Sequence, residues 1–158
     1  YAALKSGNYD EANSYLESLS DLALNSNARF RWHDARNLLG TLEWILRGEI
    51  ARHRGNLDAA IKHFERAVFY YDRLEYDEPE PLPFSPRHWL GASYLENSEF
   101  NNALNTYRKQ LKKHPDNGWS LYGMLQAYEL VGRENAEIEL AFEEAWKRSD
   151  TWIRGSVF

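Results

Sequence analysis

Five histidines, His33, His53, His63, His88 and His114, are the residues of this chain best suited to bind a metal or move a proton near neutral pH. A helix presents two ligands on one face when they stand at i and i+4, or in a His-Glu-x-x-His run, and none of the five is so placed. They are read as surface or groove residues. Glu139 and Glu143 do stand at i and i+4, the spacing of paired carboxylates in a di-metal site, but no second pair with a neighbouring His complements them. They read as the solvated face of a helix. The sequence has no Cys, which excludes thiol nucleophiles, thiolate metal sites and disulfides. Neither a phosphate-binding glycine loop nor a nucleophile elbow occurs. No catalytic residue, metal or cofactor is therefore assigned, and the chain is read as a non-enzyme.

Binding chemistry is better supplied. Six Trp and ten Tyr are many for 158 residues, a length that suits one domain. The net charge of -5 argues against a phosphate-backbone binder, which would carry a basic face, so no nucleic acid is expected. Apolar runs fall far short of the roughly 18 residues that span a bilayer. No membrane partner is expected, and a cytoplasmic setting is favoured. The sequence opens at Tyr1 without Met, in what reads as the middle of a helix, so a piece of a longer chain is expected.

The elements that position these side chains are clearest between Arg87 and Pro115. Leu90 and Tyr94 share one helix face, and Gly91 lets a facing helix approach closely. Ala103 marks the crossing on the next helix, Tyr107 fills the gap one turn later, and Pro115 stops that helix. One such hairpin cannot bury both faces, so further copies are expected. Met124, Leu125 and Tyr128 repeat Leu90, Gly91 and Tyr94 after 34 residues. Leu90-Gly91, Tyr94, Ala103, Tyr107 and Pro115 resemble the tetratricopeptide pattern L-G-x2-Y, A-x3-F and P at every spacing, with Arg87 where the pattern prefers Trp. What the resemblance implies is an all-α, right-handed solenoid of antiparallel helix hairpins that acts as a binding scaffold. From about Trp44 to Phe158 the chain also resembles the C-terminal part of uncharacterised bacterial tetratricopeptide-like proteins, which implies the same fold and no reaction.

In that register, residues 1–24 form a partial repeat, 41–76 and 84–115 two repeats, 117–149 a last repeat and cap, and 150–158 a tail. Asn8 or Asp10 caps the first long helix, and Ser26 or Asn27 is expected to cap the next. The chain from Ala28 to Arg54 reads as helical throughout, with Gly40 marking either a kink or a break at which Thr41 becomes the new cap. Trp44, Gly48 and Ala51, then Ala60, Phe64 and Ala67, take the repeat positions, while Arg47 stands where Leu is expected. Pro79, Pro81, Pro83 and Pro86 forbid helix and read as a rigid, polyproline-like spacer. The tail, with Trp152, Ile153, Val157 and Phe158, is expected to pack back on the last helix.

The resemblance also implies a concave groove lined by the first helix of each repeat, at repeat positions 2, 5, 9, 12 and 13. Transferred residue by residue, these positions select Glu49, Arg52 and His53 from one repeat, His88 from the next, and Trp119, Tyr122 and Gln126 from the last. Aromatic, imidazole and mixed charge together suit recognition of a protein or peptide partner. The carboxylate-clamp version needs Lys and Asn at positions 5 and 9. Those places hold Ile45 and Glu49, His88 and Ala92, and Tyr122 and Gln126, so chaperone-tail capture is not expected. Two alternatives stand beside the scaffold: a small-ligand or metal-dependent enzyme using the groove His and aromatic residues, and a purely structural assembly module.

Overall fold

Asparagine opens four of the helices among the described residues. In the computed structural model, which describes residues 1–157, the side chains of Asn8, Asn56, Asn117 and Asn135 each accept a hydrogen bond from the backbone N–H three residues on. Such a cap satisfies one of the N–H groups that a helix start leaves without an intrahelical partner. Asn8 adds a reciprocal bond from its amide to Glu11, 2.8 Å.

The chain divides into two compact units, Tyr1–Pro86 and Arg87–Phe158. The first holds α1 (Ala2–Lys5), α2 (Tyr9–Asn25), a two-stranded hairpin of β1 (Arg29–Phe30) and β2 (His33–Asp34), α3 (Ala35–His53) and α4 (Leu57–Tyr71). Successive helices pack on one another. Leu4, Ala12, Leu46 and Ile50 make a core with Leu16 at its edge. The second unit holds α5 (Arg87–Glu96), α6 (Phe100–Leu111), α7 (Gly118–Leu130) and α8 (Ala136–Trp146), with α5 also touching α7. Leu90, Tyr94, Ala103, Tyr107, Met124 and Ala127 are buried in it. Helix dominates the described residues, as the periodicity predicts. None is long and apolar enough to cross a membrane.

Small residues set how closely the helices approach. A Cβ on Gly48 of α3 would lie 2.3 Å from the Phe64 ring of α4. In the second unit the far end of the Tyr107 ring is wedged between two helices, and a Cβ on either Gly91 of α5 or Gly123 of α7 would lie 2.3 Å from its Cζ. These are contacts no larger residue can make without moving a ring. Each short link between paired helices turns on a left-handed residue, Gly7, Gly55 and Gly132 with Ser98 at the fourth.

The segment before Gly40 departs from the sequence expectation. Residues 29–34 are not helical. Ser26, in extended backbone, is the C-cap of α2 and its hydroxyl accepts from the Ala28 N–H, so neither it nor Asn27 opens the next helix, which starts after Asp34. Arg31 then takes a left-handed φ of 55°, and the Ala35 N–H closes the hairpin onto the Ala28 carbonyl at 3.0 Å. Gly40 does not break α3, which runs continuously from Ala35 to His53. Its absent side chain makes room for the Tyr70 ring of α4, and the Thr41 hydroxyl donates back to the Asn37 carbonyl from within the helix.

The proline-rich segment is non-helical, as its four prolines require, yet it is packed rather than held off as a spacer. Asp77, Leu82, Ser85 and Pro86 are buried, and the Glu78-Pro79 bond is cis. Arg47, which stands where the repeat prefers Leu, finds a polar role. It donates to Glu43 and to Ser20 of α2, both at 2.9 Å.

Candidate functional site

The residues selected from the sequence fall in quite different surroundings. In the first unit Glu49 is wholly buried on α3, with Lys5 at 3.3 Å and Arg52 at 3.1 Å. A buried carboxylate needs such partners, since losing its hydration is expensive. Burial pulls the Lys5 ammonium down, but the Tyr1 hydroxyl and the Glu49 carboxylate outweigh it and hold its pKa above the ordinary 10.5. Glu49 thus joins α1 to α3 as a structural ion pair. Arg52 is partly exposed and His53 is on the surface.

In the second unit His88 is 2% exposed. Its Nε2 lies 3.0 Å from the Asn117 side-chain oxygen, which also accepts from the Ser120 N–H at 2.9 Å. An amide oxygen only accepts, so His88 donates from Nε2 and its Nδ1 carries the lone pair. That Nδ1 is buried without a partner among the described residues. Burial, with a smaller contribution from His114 and against the Asn117 bond, lowers the His88 pKa to about 4. The imidazole is neutral at pH 7 and fixes the start of α7; it is out of reach of solvent and of any ligand on the surface.

Trp119 and Tyr122 are half-buried and lean on α8. The Trp119 ring meets Trp146 edge-on with centroids 5.5 Å apart, Tyr122 lies 5.6 Å from Phe142, and Phe142 stacks on Trp146 at 5.9 Å. Each keeps one part of its ring wet, the combination that lets an aromatic serve both packing and recognition. Gln126, one turn beyond Tyr122, is also partly exposed. The structure therefore brings Trp119, Tyr122 and Gln126 together along α7, while the imidazole of His88 engages the cap of that helix.

Two further constellations were not marked in the sequence. In the first, the hairpin clasps the proline-rich segment. Arg31 donates to Asp77 at 2.6 Å, His33 Nε2 lies 3.2 Å from the same carboxylate, and the Trp32 indole donates to the Tyr76 carbonyl. Burial pushes the Asp77 carboxyl up, but the bonds from Arg31 and His33 outweigh it and leave its pKa below the ordinary 3.8. The pairing spans 46 residues, so no local pattern announces it.

The second lies where α5 and α7 flank Tyr107. Past the two glycines the Tyr107 hydroxyl meets Ser156 Oγ at 2.5 Å, and Ser156 also lies 3.4 Å from the His88 carbonyl, to which it donates. Ser156 is 1% exposed, in a non-helical segment that follows α8. The Trp146 indole donates to the Thr151 carbonyl at 2.9 Å and starts that segment on its path. The expected return onto the last helix is thus seen at Thr151, but Trp152 is 90% exposed and the buried anchor is Ser156 against α5 and α6. Phe158 lies outside the described residues.

Compared with known proteins, the chain matches no family model and no curated protein.

Proposed function

We propose that the chain is a non-catalytic scaffold of tetratricopeptide type, whose helix hairpins stack as a right-handed solenoid and whose surface takes a peptide from a protein partner. The observation that carries this reading is the seat of Ser156. A non-helical stretch of polypeptide already lies against α5, held by a hydroxyl that reaches it between two glycines. Paired helices that pack closely at small residues present faces on which a peptide can lie. Trp119, Tyr122 and Gln126 continue the partly exposed surface of α7 and would contact a longer partner.

The test is a selection of random peptides displayed on phage against the immobilised full chain, followed by titration calorimetry. Selected peptides should bind with Kd in roughly the micromolar range. Gln126→Ala and Trp119→Ala should weaken them about tenfold or more. Recovery of no binding peptide, or peptides whose affinity ignores every one of these substitutions, would count against the scaffold reading.

A further inference from the structure

A cavity of about 280 Å³ lies in the first unit where α2 gives way to α3, lined by Leu24, Ser26, Asn27, Ala28, Asp34 and Arg36. That is far more than the roughly 10–15 Å³ a single water needs, and it falls just below the roughly 300 to 1,000 Å³ of pockets that hold drug-sized molecules. The space suits a small organic molecule.

Its lining carries both signs of charge. The Asp34 carboxylate and the Arg36 guanidinium stand two residues apart at the start of α3. Arg29 meets Asp34 at Oδ1, 3.4 Å, which orients a carboxylate able to accept further bonds. The Ser26 oxygen accepts from the Ala28 N–H while its own O–H can be given to a ligand, and the Asn27 amide both donates and accepts. Leu24, 68% exposed, and Ala28 supply the apolar part, and covering that leucine would be favourable. The helix ends favour one orientation: an ammonium toward the carbonyl end of α2, which has no basic side chain in its last turn, and a carboxylate toward the N–H end of α3.

A simple anion in this cavity would face Asp34, and a simple cation would face Arg36, so each meets a like charge that disfavours it. A molecule with both charges a few bonds apart and a short aliphatic arm matches every part of the lining. We propose that the cavity binds a free α-amino acid with an aliphatic side chain, its carboxylate on Arg36 and Ser26, its ammonium on Asp34 and Asn27, and its side chain on Leu24 and Ala28. The site shares no residue with the α7 surface and does not depend on the scaffold reading. An occupied site ties the end of α2 to the start of α3.

The probes are L-leucine, L-valine and L-isoleucine, titrated into the full chain and followed by the backbone amide signals in heteronuclear NMR, which reports weak binding residue by residue. Kd should fall roughly between 0.1 and 1 mM for the best of the three, with shifts centred on residues 24–28 and 34–36. L-leucinamide, which lacks the carboxylate, and N-acetyl-L-leucine, which lacks the ammonium, should each bind at least ten times more weakly than L-leucine. Arg36→Gln and Asp34→Asn should each weaken L-leucine about tenfold, while Lys62→Gln on the exposed side of α4 leaves it unchanged. If the loss of the Arg29 pair makes Asp34→Asn disturb the hairpin, Arg36→Gln decides alone, and undiminished affinity in that variant overturns the proposal. No shift at residues 24–28 and 34–36 with any of the three amino acids at about 20 mM, well above the expected Kd, overturns it as well. So does equal binding of L-leucine and N-acetyl-L-leucine, which would mark a plain anion site, or of L-leucine and L-leucinamide, which would mark a plain cation site.

Discussion

His88 shows how one residue can make the protein sensitive to mild acid without taking part in any reaction. Its pKa is about 4 when folded, against an ordinary 6.5, because burial disfavours the imidazolium. The folded state therefore refuses a proton that the unfolded state accepts, and the stability contributed by this difference is present above pH 6.5 and lost as the pH falls toward 4. At about 1.4 kcal/mol per pKa unit, roughly 3 kcal/mol is at stake. Replacing His88 with Gln, which can still donate to Asn117, should flatten the loss. Urea unfolding of the two proteins at pH 7 and pH 4.5 measures it, and an equal loss in both would show that other groups carry the acid sensitivity. Nothing in the spacing of the histidines distinguished His88 from His53, one buried and one on the surface; the difference lies in Asn117, 29 residues away.

At the scale of the element, Ser26 and Asn27 look like caps locally but open no helix. The Asn8 cap and the helix-free proline segment do follow from the chemistry of a few adjacent residues. The hairpin at residues 29–34 does not, because Ala28, Arg29 and Phe30 suit a helix as well as a strand, and Asp77 and Tyr76 decide the matter from across the unit. Gly40 was ambiguous for the same reason: a glycine that breaks a helix and one that admits a ring look alike until Tyr70 is placed. Turns follow local rules, and one of them is imperfect. Ser98 holds φ at 60° where the other three helix pairs use glycine. Its Cβ makes that conformation unfavourable by roughly 1 kcal/mol, partly offset by the greater freedom glycine has when unfolded. Ser98→Gly should raise stability by about 0.5 kcal/mol, seen as a higher urea midpoint with unchanged slope. A lower midpoint would mean that the serine hydroxyl, and not the turn, matters at this position.

For the molecule as a whole, buried and half-buried positions should respond differently to substitution. Leu90 is buried in α5, and Leu90→Ala should destabilise by roughly 2 to 5 kcal/mol through the cavity it leaves. Trp119 is half-buried against Trp146, so Trp119→Ala forfeits only part of a packed ring and should destabilise less. Thermal melts of the two variants compare them directly; equal losses would make Trp119 a core residue and remove it from the binding surface. Helical class and hairpin pairing were legible because they repeat along the chain. The seat of Ser156 was not, since a lone serine beyond the last helix carries no periodic signal and its partner Tyr107 is 49 residues back.

The start of α7 also carries a chemical clock. Asn117 is followed by Gly118, the pair in which the backbone amide nitrogen of the glycine most readily attacks the asparagine side-chain carbonyl carbon, expelling ammonia and closing a succinimide that water then opens to aspartate or isoaspartate. Here that carbonyl is held by the Ser120 N–H and by His88, with the backbone set at φ -73° and ψ 100° by the helix that follows. While α7 is intact the attack geometry is denied, and ageing of Asn117 proceeds through molecules in which the helix has opened. Peptide mapping of stored protein should therefore find Asn117 intact under native conditions and converted rapidly in urea, and His88→Ala, which removes one of the two restraints, should age faster than the original at the same temperature. The slow conversion of a single amide would then count the openings of this helix over weeks, a timescale on which unfolding curves are silent.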